Sequence, residues 1–303
     1  MDKKERLLLL FLLLLVSFLL VLFIHSKRKG DIDARELAAE EAVTDGSEKL
    51  IAHFIDVGQG DAIFLQGPDF SIMIDAGRHD RDEVLPYLKS LNVNFIDLLV
   101  GTHPHADHIG QFPQILENIE VREVWMSGDV HTTRTFERAI DAILATDAIY
   151  REPRAGDEFT FGSARVYVAH PEEITGKLNN GSLVIRLNYG DVSFLFTGDA
   201  EMEAEAEMLA RGEDLQAHVL KLGHHGSQTS STREFLNQVN PEVAIYSAGW
   251  SNPYNHPHPD VIRRLNKKGI LVYGTDQNGT IFIESDGISY RIITFEDDIR
   301  INY

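Results

Sequence analysis

The segment Leu98-Leu99-Val100-Gly101-Thr102-His103-Pro104-His105-Ala106-Asp107-His108 ends an apolar, strand-like run and then sets three histidines and an aspartate within six residues. Neutral imidazole and carboxylate are good ligands for Zn²⁺ and related divalent ions. In an extended turn His103 and His105 point the same way, because side chains alternate with a period of two. They can hold one ion together. Asp107 and His108 come where the chain turns into a helix at Ile109, and can reach a second ion nearby. Thirteen histidines in 303 residues make single ones common. A cluster of this density is improbable by chance, so a metal site outweighs a polar loop with fortuitous histidines.

Two further strand ends carry the same kind of chemistry. Phe194-Leu195-Phe196-Thr197-Gly198-Asp199-Ala200 puts Asp199 at the carboxyl end of a buried strand, a good place for a metal-bridging carboxylate. The bland alternative is an N-cap for the helix expected over Ala200–Arg211. Val219-Leu220-Lys221-Leu222-Gly223-His224-His225-Gly226-Ser227 ends in adjacent histidines, which cannot both face one ion. One binds metal, and the other lies beside it, able to hydrogen-bond a substrate oxygen or leaving group.

Outward from these segments, short β-like runs alternate with helical stretches from Lys49 onward. Helices are expected over 82–91, 109–118, 133–146, 200–211, 231–238 and 259–268, with strands between them. Hairpins followed by strand–helix alternation, twice over, predict an α/β fold with two sheets sandwiched between outer helices. A 43% hydrophobic, 25% charged composition excludes a wholly disordered chain. The absence of cysteine excludes disulfides, cysteine-based zinc sites, iron–sulfur clusters and thiol nucleophiles. A net charge of −19 argues against indiscriminate binding to DNA or anionic lipid, while leaving room for a local basic groove.

Composition changes near the start. Leu7 to Ile24 is an unbroken apolar run flanked by Lys3, Lys4 and Arg6 on one side and Lys27, Arg28 and Lys29 on the other. As a helix it rises about 27 Å, close to the ~30 Å hydrocarbon core of a bilayer. No small-x-small cleavage site follows, so residues 1–29 read as an uncleaved signal anchor. Residues 30–48 read as an acidic tether, and 49–303 as the globular domain.

The strand-end motifs resemble the metallo-β-lactamase fold superfamily. Phe54-Ile55-Asp56-Val57-Gly58-Gln59-Gly60-Asp61, Ile74-Asp75-Ala76-Gly77, Asn179-Asn180-Gly181-Ser182 and Asn252-Pro253-Tyr254-Asn255-His256-Pro257 are most similar to the extracellular hydrolase domain of the ComEC competence protein family. The resemblance covers Leu50 to Glu284, and the many-helix channel part of that family is missing. It implies an αβ/βα sandwich with the site along one edge and two divalent ions, Zn or Mn. His103 and His105 would hold the first ion, Asp107 and His108 the second. Asp199 would bridge, and His225 would complete the second site. His170 and Asn180 are the candidates for a further group at the first ion. Asp75 matches a buried carboxylate that orients a ligand, and Asp61 and Gln59 line the same edge.

A cation pair activates water without a strong base, with Asp107 orienting it. His224 or His256 would protonate the leaving oxygen, and Lys221, Ser227, Asn180 and Asp61 would contact substrate. Arg263 and Lys267 share a helix face and would supply a local positive strip. The reading favoured is a membrane-tethered phosphodiesterase of nuclease type, with DNA among its substrates and the domain outside the cytoplasm. A lactonase, a β-lactamase or a phosphorylcholine esterase would use the same metals. A non-catalytic metal-binding module would not need Asp107.

Overall fold

The computed structural model describes residues 49–294 and the backbone of 298–301. The anchor expected over residues 7–24 and the acidic tether lie outside the described residues. Among the described residues no helix is long and apolar enough to cross a membrane.

Two twisted sheets face one another. Among the described residues the first has nine strands, in the order β16-β15-β14-β1-β2-β3-β4-β5-β6. Its members are β1 (Leu50–Phe54), β2 (Ala62–Gln66), β3 (Ser71–Ala76), β4 (Phe95–Gly101), β5 (Glu120–Met126), β6 (Ile149–Arg151), β14 (Ile281–Ser285), β15 (Tyr290–Ile293) and β16 (Asp298–Ile301). The second has seven, in the order β13-β12-β11-β10-β9-β8-β7. These are β7 (Glu158–Phe161), β8 (Ala164–His170), β9 (Val184–Tyr189), β10 (Val192–Phe196), β11 (Val219–Lys221), β12 (Val243–Tyr246) and β13 (Leu271–Gly274).

Side-chain alternation assigns each strand's two faces to two different cores. Ile72 and Ile74 of β3, Leu98 and Val100 of β4, and Phe194 and Phe196 of β10 meet between the sheets with Phe54 and Trp125. Leu195, Leu220 and Ala244 point the other way, onto a helical layer. That layer is α4 (Met202–Arg211), α5 (Arg233–Val239) and α6 (Pro259–Lys268), which contribute Met208, Phe235, Leu236, Val261 and Leu265. In the first sheet α1 (Val84–Ser90) lies between β3 and β4 in the chain, α2 (Phe112–Asn118) between β4 and β5, and α3 (Arg134–Leu144) between β5 and β6. Strands buried on both faces, such as β10, need no polar alternation, which is why Val192-Ser193-Phe194-Leu195-Phe196 reads as a nearly continuous apolar run.

The strands β3, β4 and β5 are parallel, as are β10, β11 and β12. Parallel strands deliver their carboxyl ends to one edge, where ligands bind in open α/β sheets. Asp75, the His103–His108 loop, Asp199 and His224–His225 all leave such ends.

Several boundaries differ from the sequence reading. The strand expected over 51–57 stops at Phe54, and the helix expected from Ile109 starts at Phe112. β6 is three residues long and wholly exposed, so it leaves no hydrophobic period to detect. Residues Gly223–Gly226 form a tight turn with two consecutive left-handed residues, His224 and His225. His258 caps α6 through Nδ1, which accepts from the Asp260 N–H at 3.2 Å.

Candidate metal centre

The centre is built from second partners inward. Asp75 sits at the end of β3 with φ +57°, an uncommon backbone state for a non-glycine. Its Oδ1 accepts the Thr102 N–H at 2.8 Å. Its Oδ2 accepts the Thr102 hydroxyl at 2.7 Å and His108 Nδ1 at 2.8 Å. Because the Thr102 hydroxyl proton goes to Asp75, its oxygen is left to accept from His103 Nδ1, 3.2 Å away. One buried carboxylate therefore turns Nε2 of both His103 and His108 inward.

His225 is aimed in the same manner. Its Nδ1 donates to the Ser247 carbonyl at 2.9 Å, and a carbonyl can only accept. In the neutral ring Nε2 then carries the lone pair. Asp61 Oδ1 lies 3.4 Å from the same Nδ1. The adjacent pair is splayed by its backbone: His224 (φ 49°) and His225 (φ 57°) are both left-handed. Side chains held in sparsely populated conformations cluster at functional sites.

The inward-facing atoms converge on Asp199. Asp199 Oδ2 lies 3.6 Å from His103 Nε2, whose other neighbour is His105 Nδ1 at 2.9 Å. Asp199 Oδ1 lies 3.3 Å from His108 Nε2 and 3.6 Å from His225 Nε2. Asp107 Oδ2 is 3.4 Å from His225 Nε2. Two donor sets result, His103–His105–Asp199 and Asp107–His108–His225, each with ligand atoms close enough to share one ion.

The donors suit divalent cations. His108 Nε2, His225 Nε2 and Asp199 Oδ1 are buried and have no hydrogen-bond partner among the described residues. Buried polar atoms are nearly always satisfied, so three orphans facing one another call for a common partner. Electrostatics agree. Burial pushes His103 well below its ordinary pKa, keeping it a neutral ligand. Burial opposes charge on His108 and His225 too, but surrounding carboxylates outweigh it. Asp199, Asp75 and Asp107 hold His108 well above its usual value, and Asp199 and Asp61 lift His225 to about 10. The cluster thus carries an excess of carboxylate that positive charge must balance.

Other site candidates lie elsewhere than expected. His170 does not join the cluster: its Nε2 meets the Asn180 carbonyl at 2.7 Å and its Nδ1 faces Glu207 at 3.9 Å. Asn180 does not reach the cluster with its side chain either; Oδ1 accepts from the N–H groups of Glu201 and Ala204 at the start of α4. Lys221 and Asp61 are corrected from substrate contacts to a buried ion pair, Nζ to Oδ2 at 2.6 Å, beneath the centre. Ser227 is buried and bonded to the Thr229 hydroxyl at 3.0 Å. Arg263 is paired with Asp260, so the expected strip is partly spent on its own neighbour.

The two histidines considered as proton donors both flank the cluster. His224 Nε2 lies 3.8 Å from Asp199 Oδ2, and Glu201 Oε1 holds Nδ1 at 3.0 Å. His256 is half-buried, and burial, then the nearby His225 and His224, lower its pKa to about 4. A neutral ring at pH 7 makes it a poor acid.

Glu201 was not anticipated, although it stands only two residues after Asp199, where the turn leads into α4. His131 was also missed. It follows β5 at the same sheet edge, and its ring lies 5.7 Å from that of His105, edge to face. Gly60 is required by close approach: at φ +143° its position for a Cβ falls 2.5 Å from the Asp107 carbonyl oxygen.

Comparison with known proteins agrees with this architecture. A family model of the metallo-beta-lactamase superfamily matches residues 55–250. ComE operon protein 3 of Bacillus subtilis is 33% identical over 247 residues, covering 75% of this chain and 32% of the relative. Competence protein ComA of Neisseria gonorrhoeae is 32% identical over 232 residues, covering 75% and 31%. The chain therefore spans about a third of the length of the curated relatives it matches. Among solved structures, Igni18, a metallo hydrolase from the archaeon Ignicoccus hospitalis, superposes with a TM-score of 0.51 at 16% identity, covering 77% of this chain and 98% of its own.

Proposed function

This chain belongs to the metallo-beta-lactamase superfamily, and on that premise we propose that it is a binuclear metal-dependent hydrolase acting on phosphodiesters. The observation that carries the proposal is Asp199, whose two oxygens are divided between His103 on one side and His108 and His225 on the other. A carboxylate so placed suits a bridge between two cations, held by His103 and His105 and by Asp107, His108 and His225. When bound, such cations supply Lewis-acid polarisation and a nucleophile at neutral pH, and a pair of them suits in-line displacement at phosphorus. The competence-protein relatives favour a polynucleotide over a lactone.

The chain's own groups account for the remaining work. Asp75 and Thr102 fix the rings of His103 and His108, and Ser247 fixes His225. Asp107, partly open to solvent, orients the attacking water. His224, held by Glu201, donates the proton to the leaving oxygen, a role suited to an imidazole.

Full-length protein loaded with Zn²⁺ or Mn²⁺ is expected to cleave bis(p-nitrophenyl) phosphate and single-stranded DNA, and to contain near two ions per chain. Turnover of a lactone or cephalosporin without phosphodiester cleavage would replace this reading by its alternative. We also propose that residues 7–24 anchor the chain with the hydrolase domain outside the cytoplasm. Protease added to intact spheroplasts is then expected to release the domain by cutting within residues 30–48. A domain protected until the membrane is permeabilised would reverse the orientation.

A further inference from the structure

A file of rings leads out of the metal centre. The buried ring of His225 lies 6.1 Å from that of His256 at an angle of 29°, and His256 lies 5.8 Å from Tyr254 at 28°. Tyr254 is 62% exposed, and Trp250, four residues earlier on the same turn, is 79% exposed. Large aromatic side chains left in water beside a polar site mark contact surfaces. The turn is held in place. Asn252 Nδ2 donates to the carbonyls of Gly249 (2.9 Å) and His256 (2.6 Å), and its Oδ1 accepts from the N–H groups of Tyr254 (3.2 Å) and His256 (3.1 Å). The Gly249 N–H donates to Gln59 Oε1 at 3.3 Å, tying the turn to the loop that supplies Asp61. Arg78, on the loop after β3, is held by Asp80 through two contacts of 2.8 and 2.7 Å, so its charge is already paired.

We propose that Tyr254 and Trp250 form a stacking subsite for an unpaired nucleobase adjoining the scissile phosphodiester. The subsite rests on the phosphodiesterase reading above and names its substrate class. Every base has a π-face, so stacking binds single strands with little regard to sequence. The last ring of the file is open to solvent, where a further planar ring can extend it. Long-range attraction to a phosphate backbone is opposed by a chain of net charge −19. Affinity must then come from close contacts, and Tyr254 is an exposed ring that continues the file from the centre, with Trp250 exposed in the same loop. A paired base, with both faces already stacked in a duplex, would not fit this mode.

The chain has two tryptophans, and Trp125 is fully buried, so Trp250 reports binding at the rim. In full-length Asp107→Asn protein, a single-stranded oligonucleotide is expected to quench Trp250 emission. An oligonucleotide of equal length made of abasic units should require at least about tenfold higher concentration. In otherwise unaltered protein, Tyr254→Ala should lower the ratio of kcat/KM for the base-bearing over the abasic strand by about tenfold, and Tyr254→Phe should restore it. Equal quenching by the two strands overturns the subsite, as does a ratio that Tyr254→Ala leaves unmoved. Quenching by phosphorylcholine in preference to the oligonucleotide also overturns it, assigning the rings to a quaternary ammonium. Base-dependent quenching without cleavage by the unaltered protein supports the subsite and removes the phosphodiesterase reading.

Discussion

Asp199→Asn is expected to lower hydrolysis by about three orders of magnitude or more, with ion content falling from near two per chain toward one or none. The substitution keeps the shape of the side chain, so packing against β10 and the following helix is preserved. What it removes is the second anionic oxygen. Asp199 Oδ1 faces His108 and His225, and Oδ2 faces His103. An amide offers one oxygen, and its nitrogen would point a donor at the opposite donor set. Several kcal/mol of transition-state stabilisation depend on cations held there, and each ~1.4 kcal/mol is tenfold in rate. Activity on bis(p-nitrophenyl) phosphate and metal analysis on the same preparation read both effects. His170→Gln is the control: its ring meets Asn180 and Glu207 away from the cluster, so ion content should stay near two. Retention of both ions and full turnover by Asp199→Asn would remove the bridging role. Loss of one ion in His170→Gln would return His170 to the ligand set.

The contrast between Asp199 and His170 shows what a single sequence makes legible. His103, His105, Asp107, His108, Asp199 and His225 all follow parallel strands, and parallel strands end at one edge. Strand–loop spacing therefore predicts that these side chains meet, even without knowing how the two sheets pair. His170 also ends a strand, β8, which through β9 points the same way as β10, so what keeps it from the cluster is the direction of its ring toward Asn180 and Glu207, a tertiary property. The same limit applies to Asn180, whose side chain is taken by the first turn of α4. Lys221 is the clearest case. A lysine three residues before a histidine pair invites a role in binding phosphate, and nothing in its neighbours announces that its amine is buried. The left-handed backbone of His224 and His225 was equally hidden, because histidine carries no conformational signal of the kind glycine does.

Lys221→Met should destabilise the protein by about 3–5 kcal/mol, the usual effect of removing one partner from a buried ion pair. The ammonium is fully buried, 2.6 Å from Asp61 Oδ2 and 3.1 Å from the Leu222 carbonyl. Methionine fills most of the volume but leaves Asp61 without its strongest counter-charge. Burial raises the pKa of Asp61, and Lys221 is the largest influence lowering it; without the lysine, Asp61 takes a proton more readily. The sign for pH follows. A carboxylate depressed in the folded state contributes stability at pH values above its unfolded pKa, near 4, and loses it as pH falls through the folded pKa. The gap between the unaltered protein and Lys221→Met should therefore be widest near neutrality and narrow in acid. Asp61 also faces His225 Nδ1, yet the Ser247 carbonyl remains as a partner for that nitrogen. Loss of activity should stay within about 10–100-fold, as for groups that orient a metal ligand. Adding Asp61→Asn to Lys221→Met removes the stranded charge and should recover part of the stability, a coupling that a double-mutant cycle measures. Thermal unfolding of the four proteins between about pH 3 and 8 gives the result. Were Lys221→Met to unfold like the unaltered chain and show only a raised KM, its amine would be reaching substrate after all, and the buried pair would not describe the working protein.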